Sequence, residues 1–190
     1  MKPIQMVDLV GQYQKIKPEV DAAMQRVIDT AAFINGPEVK SFEQELGTYL
    51  GAKHVIGCAN GTDALQIAMM ALGLKPGDEV ITCSFTFVAT VEVVALLGIT
   101  PVFADVMPGT FNIDPADIRR KITPRTKAIV PVHLFGRACA MTALTDLAKK
   151  HGLAIIEDAA QSLGSVADAG RVGTLSELAC FSFFPSKNLG

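Results

Sequence analysis

Between residues 54 and 182 of this 190-residue chain, short apolar runs alternate with segments of helical spacing. The runs cover 54–58, 79–83, 101–104, 128–132, 154–157 and 178–182. The helical segments between them cover roughly 62–72, 86–97, 114–121 and 140–151. Each run is apolar throughout rather than alternating, which predicts strands covered on both faces. Strands alternating with helices in this way predict an α/β fold: a mostly parallel sheet with helices on both faces. Local signals agree. Asp114, Pro115 and Asp117 read as a helix cap, a proline at the first helical position and an acid in the first turn. Gly73, Gly98 and Gly152 each follow a helix, where a left-handed residue ends it.

The first 51 residues have a different rhythm. Val20, Ala23, Met24, Val27, Ile28 and Ala31 recur at helical spacing over 18–32, which predicts one buried face. Residues 34–37 break that pattern, and a second helix is expected from Pro37 to Gly51, with Val39, Phe42, Leu46, Tyr49 and Leu50 inward. The expected organisation is a helical segment over 1–51 and an α/β domain over 52–190. A net charge of −2, with no block of Lys or Arg, gives no electrostatic support for a nucleic-acid or membrane-surface role. Cys58, Cys83, Cys139 and Cys180 lie far apart, and with three scattered histidines they form no metal-ligand spacing. They read as buried free thiols in a reducing, cytoplasmic compartment. The N-terminal residues mix apolar with charged side chains and do not read as a signal peptide.

Ligands of open α/β sheets bind beyond the carboxyl ends of the strands, so the residues following each run are the candidates. Gly61 and Thr62 open a helix, where free N–H groups and the helix dipole favour an anion such as phosphate; taken alone, the pattern reads first as an unliganded helix cap. Phe87 is either a core aromatic or a plate on which a flat ring stacks. Asp158 is either a cap or a carboxylate that keeps a pyridine nitrogen protonated. Gln161 follows in the same loop, and Ser182 ends the last run. His133 reads as a satisfied structural histidine. Lys187 is either a surface lysine or an amine that forms a Schiff base with an aldehyde cofactor. Neither a Walker-type nor a dinucleotide-type glycine fingerprint is present.

Seven stretches together carry a resemblance: Gly36-Pro37-Glu38-Val39, Ala59 to Leu65, Pro76 to Val80, Phe85 to Thr90, Thr123 to Ile129, Ile156 to Ser162 and Phe181 to Gly190. In this order the chain resembles the DegT-type nucleotide-sugar aminotransferases, a branch of the fold-type-I pyridoxal-phosphate enzymes. The resemblance implies pyridoxal 5'-phosphate as cofactor and Lys187 as catalytic Schiff-base lysine and proton carrier. It also implies Asp158 on the pyridine nitrogen, Gln161 beside the ring, Phe87 stacked on it, and Gly61, Thr62 and Ser182 on the phosphate. Glutamate is the implied amino donor, a UDP-linked 3-keto-hexuronic acid or related sugar the acceptor, and a homodimer the assembly. Lysine at this position argues against the family's sugar dehydratases, some of which carry histidine there.

Members of that family are about twice as long. They continue with a strand between the sixth and the first, with segments reaching a neighbouring subunit's cofactor, and with a small C-terminal domain. The resemblance therefore implies the N-terminal half of such an enzyme, incomplete at the C-terminus and inactive alone. Two other classes remain open. One is a truncated, non-catalytic relative acting as a binding or interaction module. The other is a nucleotide-binding oxidoreductase, disfavoured by the missing glycine fingerprint.

Overall fold

The computed structural model describes Ile4 and residues 7–189. These residues fall into two compact units, the chain dividing between Gly57 and Cys58.

The first unit carries two helices. Helix α1 spans Leu9–Thr30, capped by the Asp8 carboxylate, which accepts from the Gly11 N–H at 2.8 Å. It begins nine residues earlier than expected and runs through Pro18. A proline inside a helix forfeits one hydrogen bond, and flanking turns can outweigh that loss. The expected buried face is not found: no residue of α1 is buried, and Met24 and Ile28 are more than half exposed. Periodicity says which face would be covered, not whether this unit covers it. Helix α2 spans Pro37–Leu50, as expected, and ends at Gly51 with φ of 77°. Of its apolar residues Leu46 and Leu50 are buried, whereas Val39, Phe42 and Tyr49 stay exposed. Residues 54–58, expected as a strand, are irregular, and Ile56 is 83% exposed. A strand needs a backbone partner, and the Gly57 N–H instead meets the Glu43 carboxylate at 2.6 Å.

The second unit is the α/β domain. Its elements are α3 (Gly61–Ala71), β1 (Glu79–Cys83), α4 (Ala89–Leu96), β2 (Thr100–Ala104), α5 (Pro115–Lys121), β3 (Thr126–Val130), α6 (Met141–His151), β4 (Ala154–Asp158), β5 (Val166–Ala167), β6 (Gly170–Arg171) and β7 (Leu178–Cys180). Five strands form a sheet in the order β2-β1-β3-β4-β7, and every pairing in it is parallel. The β5–β6 hairpin is antiparallel and went unforeseen, because two residues per strand carry no periodic signal. Strand β7 ends two residues before expectation, so Ser182 lies past it.

The uniformly apolar strands have the expected cause. Successive side chains point to opposite faces, and each face has its own core. Val80, Ala128, Val130, Ile156 and Cys180 pack in one cluster with Leu65 and Met69 of α3 and Val93 and Val94 of α4. Ile81, Ile129 and Ile155 pack in the other with Ile118 of α5 and Leu144 and Leu147 of α6. Gly73, Gly98 and Gly152 close their helices at φ of 70°, 69° and 64°. Three cysteines are buried free thiols as expected, but Cys58 is exposed, since its segment joins no sheet. No helix among the described residues is long and apolar enough to cross a membrane.

Helix α5 is tied to β2 by one carboxylate. Asp114 caps it, accepting from the Ala116 N–H at 2.8 Å. Asp117 in its first turn pairs with Lys121 at 2.8 Å and Arg120 at 2.9 Å, and accepts from the Asp105 N–H at 2.7 Å. The Lys121 ammonium leads these partners in lowering its carboxyl to about 2, against the usual carboxylate range. The folded value lies below the unfolded one of about 4, so this stabilisation is complete above about pH 4 and lost as pH falls towards 2. Asp117→Asn is expected to cost about 1–2 kcal/mol at pH 7 and to shrink the loss of stability between pH 4 and 2, read from urea unfolding across that range.

Candidate active site

The carboxyl end of β4 places two adjacent acids on opposite faces of the sheet. Glu157 is fully buried on one face. Its Oε2 accepts from the Gly173 N–H at 2.9 Å and lies 3.1 Å from His133 Nε2. Its Oε1 accepts from the Leu175 N–H at 2.9 Å and the Ser176 hydroxyl at 3.0 Å. His133 Nδ1 accepts from the Cys139 N–H at 3.0 Å, so this nitrogen is unprotonated and Nε2 is the donor to Glu157. His133 is thus a structural histidine. Burial pushes the Glu157 carboxyl up, but His133 and the two backbone N–H groups outweigh it and hold the group below its ordinary value.

Asp158 faces the other way and is 5% exposed. Its Oδ2 accepts from the Thr90 hydroxyl at 2.8 Å and its Oδ1 from the Ala160 N–H at 3.2 Å. Here burial wins and raises the carboxyl above its ordinary value, although the Thr90 hydroxyl, the Ala160 N–H and the Lys187 charge each pull it down. A buried carboxylate in this state gains most from a further cation or charged donor, such as a protonated ring nitrogen. Lys187 is half-buried, held by its own N–H to the Phe184 carbonyl at 2.7 Å, and its charge acts on Asp158.

The phosphate candidates also come together. Asn60 caps α3, its Oδ1 accepting from the Asp63 N–H at 2.9 Å. A Cβ on Gly61 would stand 2.8 Å from Ser182 Cβ and 3.3 Å from the Phe181 carbonyl oxygen. Glycine therefore lets the start of α3 approach the chain leaving β7. The first N–H groups of a helix have no carbonyl within it, so those of Gly61 and Thr62, with the Ser182 hydroxyl alongside, suit an anion. Phe87 is 65% exposed and belongs to no core cluster. Gln161 Oε1 accepts from the Phe135 N–H at 2.9 Å, which leaves its NH2 group as donor. That bond supports Phe135 in a left-handed conformation, with φ of 55°.

Sequence reasoning assigned no role to Thr90 or Glu157. Thr90 lies inside a stretch that carried the resemblance, but only the fold shows that it meets a residue 68 positions away. Glu157 read as the end of an apolar strand; a carboxylate in such a run is the signal that could have exposed it. Because four donors converge on it, Glu157→Ala is expected to cost about 3–5 kcal/mol in urea unfolding, more than a cavity of that size alone.

Known proteins place the chain in a family. The DegT/DnrJ/EryC1/StrS aminotransferase family matches residues 14–190. The UDP-2-acetamido-2-deoxy-3-oxo-D-glucuronate aminotransferase of Pseudomonas aeruginosa is 53% identical over 187 residues, which are 98% of this chain and 52% of that protein. The crystal structure of DesV from S. venezuelae superposes with a TM-score of 0.97 at 43% identity, over 100% of this chain and 51% of DesV. Bacillus subtilis NtdA, solved with bound cofactor PMP, superposes with a TM-score of 0.92 at 36% identity, over 98% of this chain and 42% of its own. The chain thus spans about half the length of the relatives it matches. With a sheet that matches those of fold-type-I aminotransferases, the chain belongs to the DegT/DnrJ/EryC1/StrS aminotransferase family.

Proposed function

We propose that this chain carries the pyridoxal-phosphate site of an enzyme that transfers an amino group from glutamate to a nucleotide-linked keto-sugar. The observation that carries the proposal is the buried Asp158 carboxylate, with Lys187 acting on it and an anion-ready helix start beside Ser182. The acceptor is a UDP-linked 3-keto-hexuronic acid or related sugar, the substrate class named for the Pseudomonas aeruginosa relative. Such sugars feed surface-polysaccharide synthesis, and the working assembly is a homodimer in the cytoplasm. These finer assignments rest on the family resemblance.

The residues fit the cofactor. Bound pyridoxal phosphate supplies an aldehyde that captures the donor's amine and a ring that draws electrons from its α-carbon. The N–H groups of Gly61 and Thr62 and the hydroxyl of Ser182 would hold the phosphate. Asp158 would hold a proton on the ring nitrogen, and its burial would make that charge pair favourable. Gln161 offers its NH2 group at the ring's edge, and Phe87, already exposed, gives the ring a stacking surface. Lys187 Nζ would carry the proton between the donor's α-carbon and the cofactor's exocyclic carbon. The same lysine would reverse these transfers when the keto-sugar accepts the amine.

Borohydride reduction in the presence of pyridoxal phosphate, followed by digestion and mass spectrometry, tests this reading. A stable adduct confined to Lys187, and lost in Asp158→Ala, is expected. Scattered lysine labelling would instead favour a non-catalytic module. Gly61→Ala forces Ser182 away from the helix start and is expected to weaken pyridoxal-phosphate binding by about tenfold or more in an absorbance titration.

A further inference from the structure

We propose that Thr90 is a positioning residue for this site: its buried hydroxyl fixes the Asp158 carboxylate, and its backbone N–H ties it to the turn that carries Phe87. The inference rests on the reading of the site given above and adds a residue which that reading does not use.

Thr90 is the second residue of α4 and is 1% exposed. Its hydroxyl has one proton and two acceptors in reach: Asp158 Oδ2 at 2.8 Å and the Phe87 carbonyl at 3.3 Å. The nearer, charged acceptor takes the proton. The Thr86 hydroxyl, 3.2 Å away, then becomes the donor to Thr90, so Thr86, Thr90 and Asp158 form a directed chain. The Thr90 backbone N–H also reaches the Phe87 carbonyl at 3.4 Å. One residue therefore joins the stacking turn to the acid. The second oxygen of Asp158 is held separately by the Ala160 N–H. With a donor on each oxygen, rotation of the carboxylate breaks both bonds, and the remaining lone pairs have one fixed direction. Valine in place of Thr90 keeps the shape and removes the donor; serine keeps the donor.

The test is equilibrium binding by the full chain of two ligands: pyridoxal phosphate and its deaza analogue, in which C–H replaces the ring nitrogen. Only the first can engage Asp158 through that nitrogen. Thr90→Val is expected to weaken pyridoxal-phosphate binding about tenfold and leave the analogue unchanged, the loss of one hydrogen bond to a charged group. Thr90→Ser is expected to restore binding to within about threefold of the parent. If Thr90→Val does not fold, Thr90→Ala carries the same expectation. Equal weakening of both ligands, unchanged binding in the folded variant, or no recovery with serine overturns the proposal. Asp158→Ala separates it from the reading beneath it. If the parent discriminates between the ligands, Asp158→Ala abolishes this, and Thr90→Val leaves it intact, only the role of Thr90 falls. If the parent does not discriminate, the cofactor reading falls and the role of Thr90 with it.

Discussion

The second unit depends on satisfying two carboxylates at the end of one central strand. Glu157 and Asp158 are consecutive in β4, so the pleat sends them to opposite faces, and both are buried. A buried charge is tolerated only when donors surround it. Glu157 is met by two backbone N–H groups, one hydroxyl and a histidine. That arrangement pins the segment leading into β7 and, through His133, the segment leaving β3. Among the described residues Asp158 is met by two donors, and burial raises its carboxyl. The two acids thus divide their roles by environment: one holds the sheet edge together, and the other is left with unmet demand for positive charge.

The other candidates start from separate elements along the same edge of the sheet. Lys187 comes from the turn after β7, Thr90 and Phe87 from the start of α4, and Gly61 from the start of α3. The parallel sheet makes this possible, because every strand ends on the same edge and every following segment starts there. Gly61 adds a steric condition. The approach of α3 to Ser182 leaves no space for a β-carbon, so residue type and topology are matched at that point.

Much of this was legible in the chain. The continuous apolar runs foretold a sheet covered on both faces, and the two cores on alternate residues of β1, β3 and β4 bear that out. The Asp114–Pro115 cap and the glycines after helices stood at their expected positions. The misreadings share one origin. Residues 54–58 have the composition of a strand but pair with no strand among the described residues, and α1 has an apolar stripe that this unit leaves largely exposed. Composition and periodicity describe what a segment could bury or pair; another segment must supply the partner.

By itself the sequence determined the type and order of most elements, because helix caps, glycine stops and apolar periodicity act over a few residues. It also determined family membership, since the motifs recur in a specific order. Only the tertiary structure decided which side chains meet. The bond from Thr90 to Asp158 spans 68 positions and that from His133 to Glu157 spans 24. The difference in state between two neighbouring carboxylates follows from the opposite faces they occupy and the donors each face supplies. Proton affinity depends on surroundings in space, and folding alone brings those surroundings together.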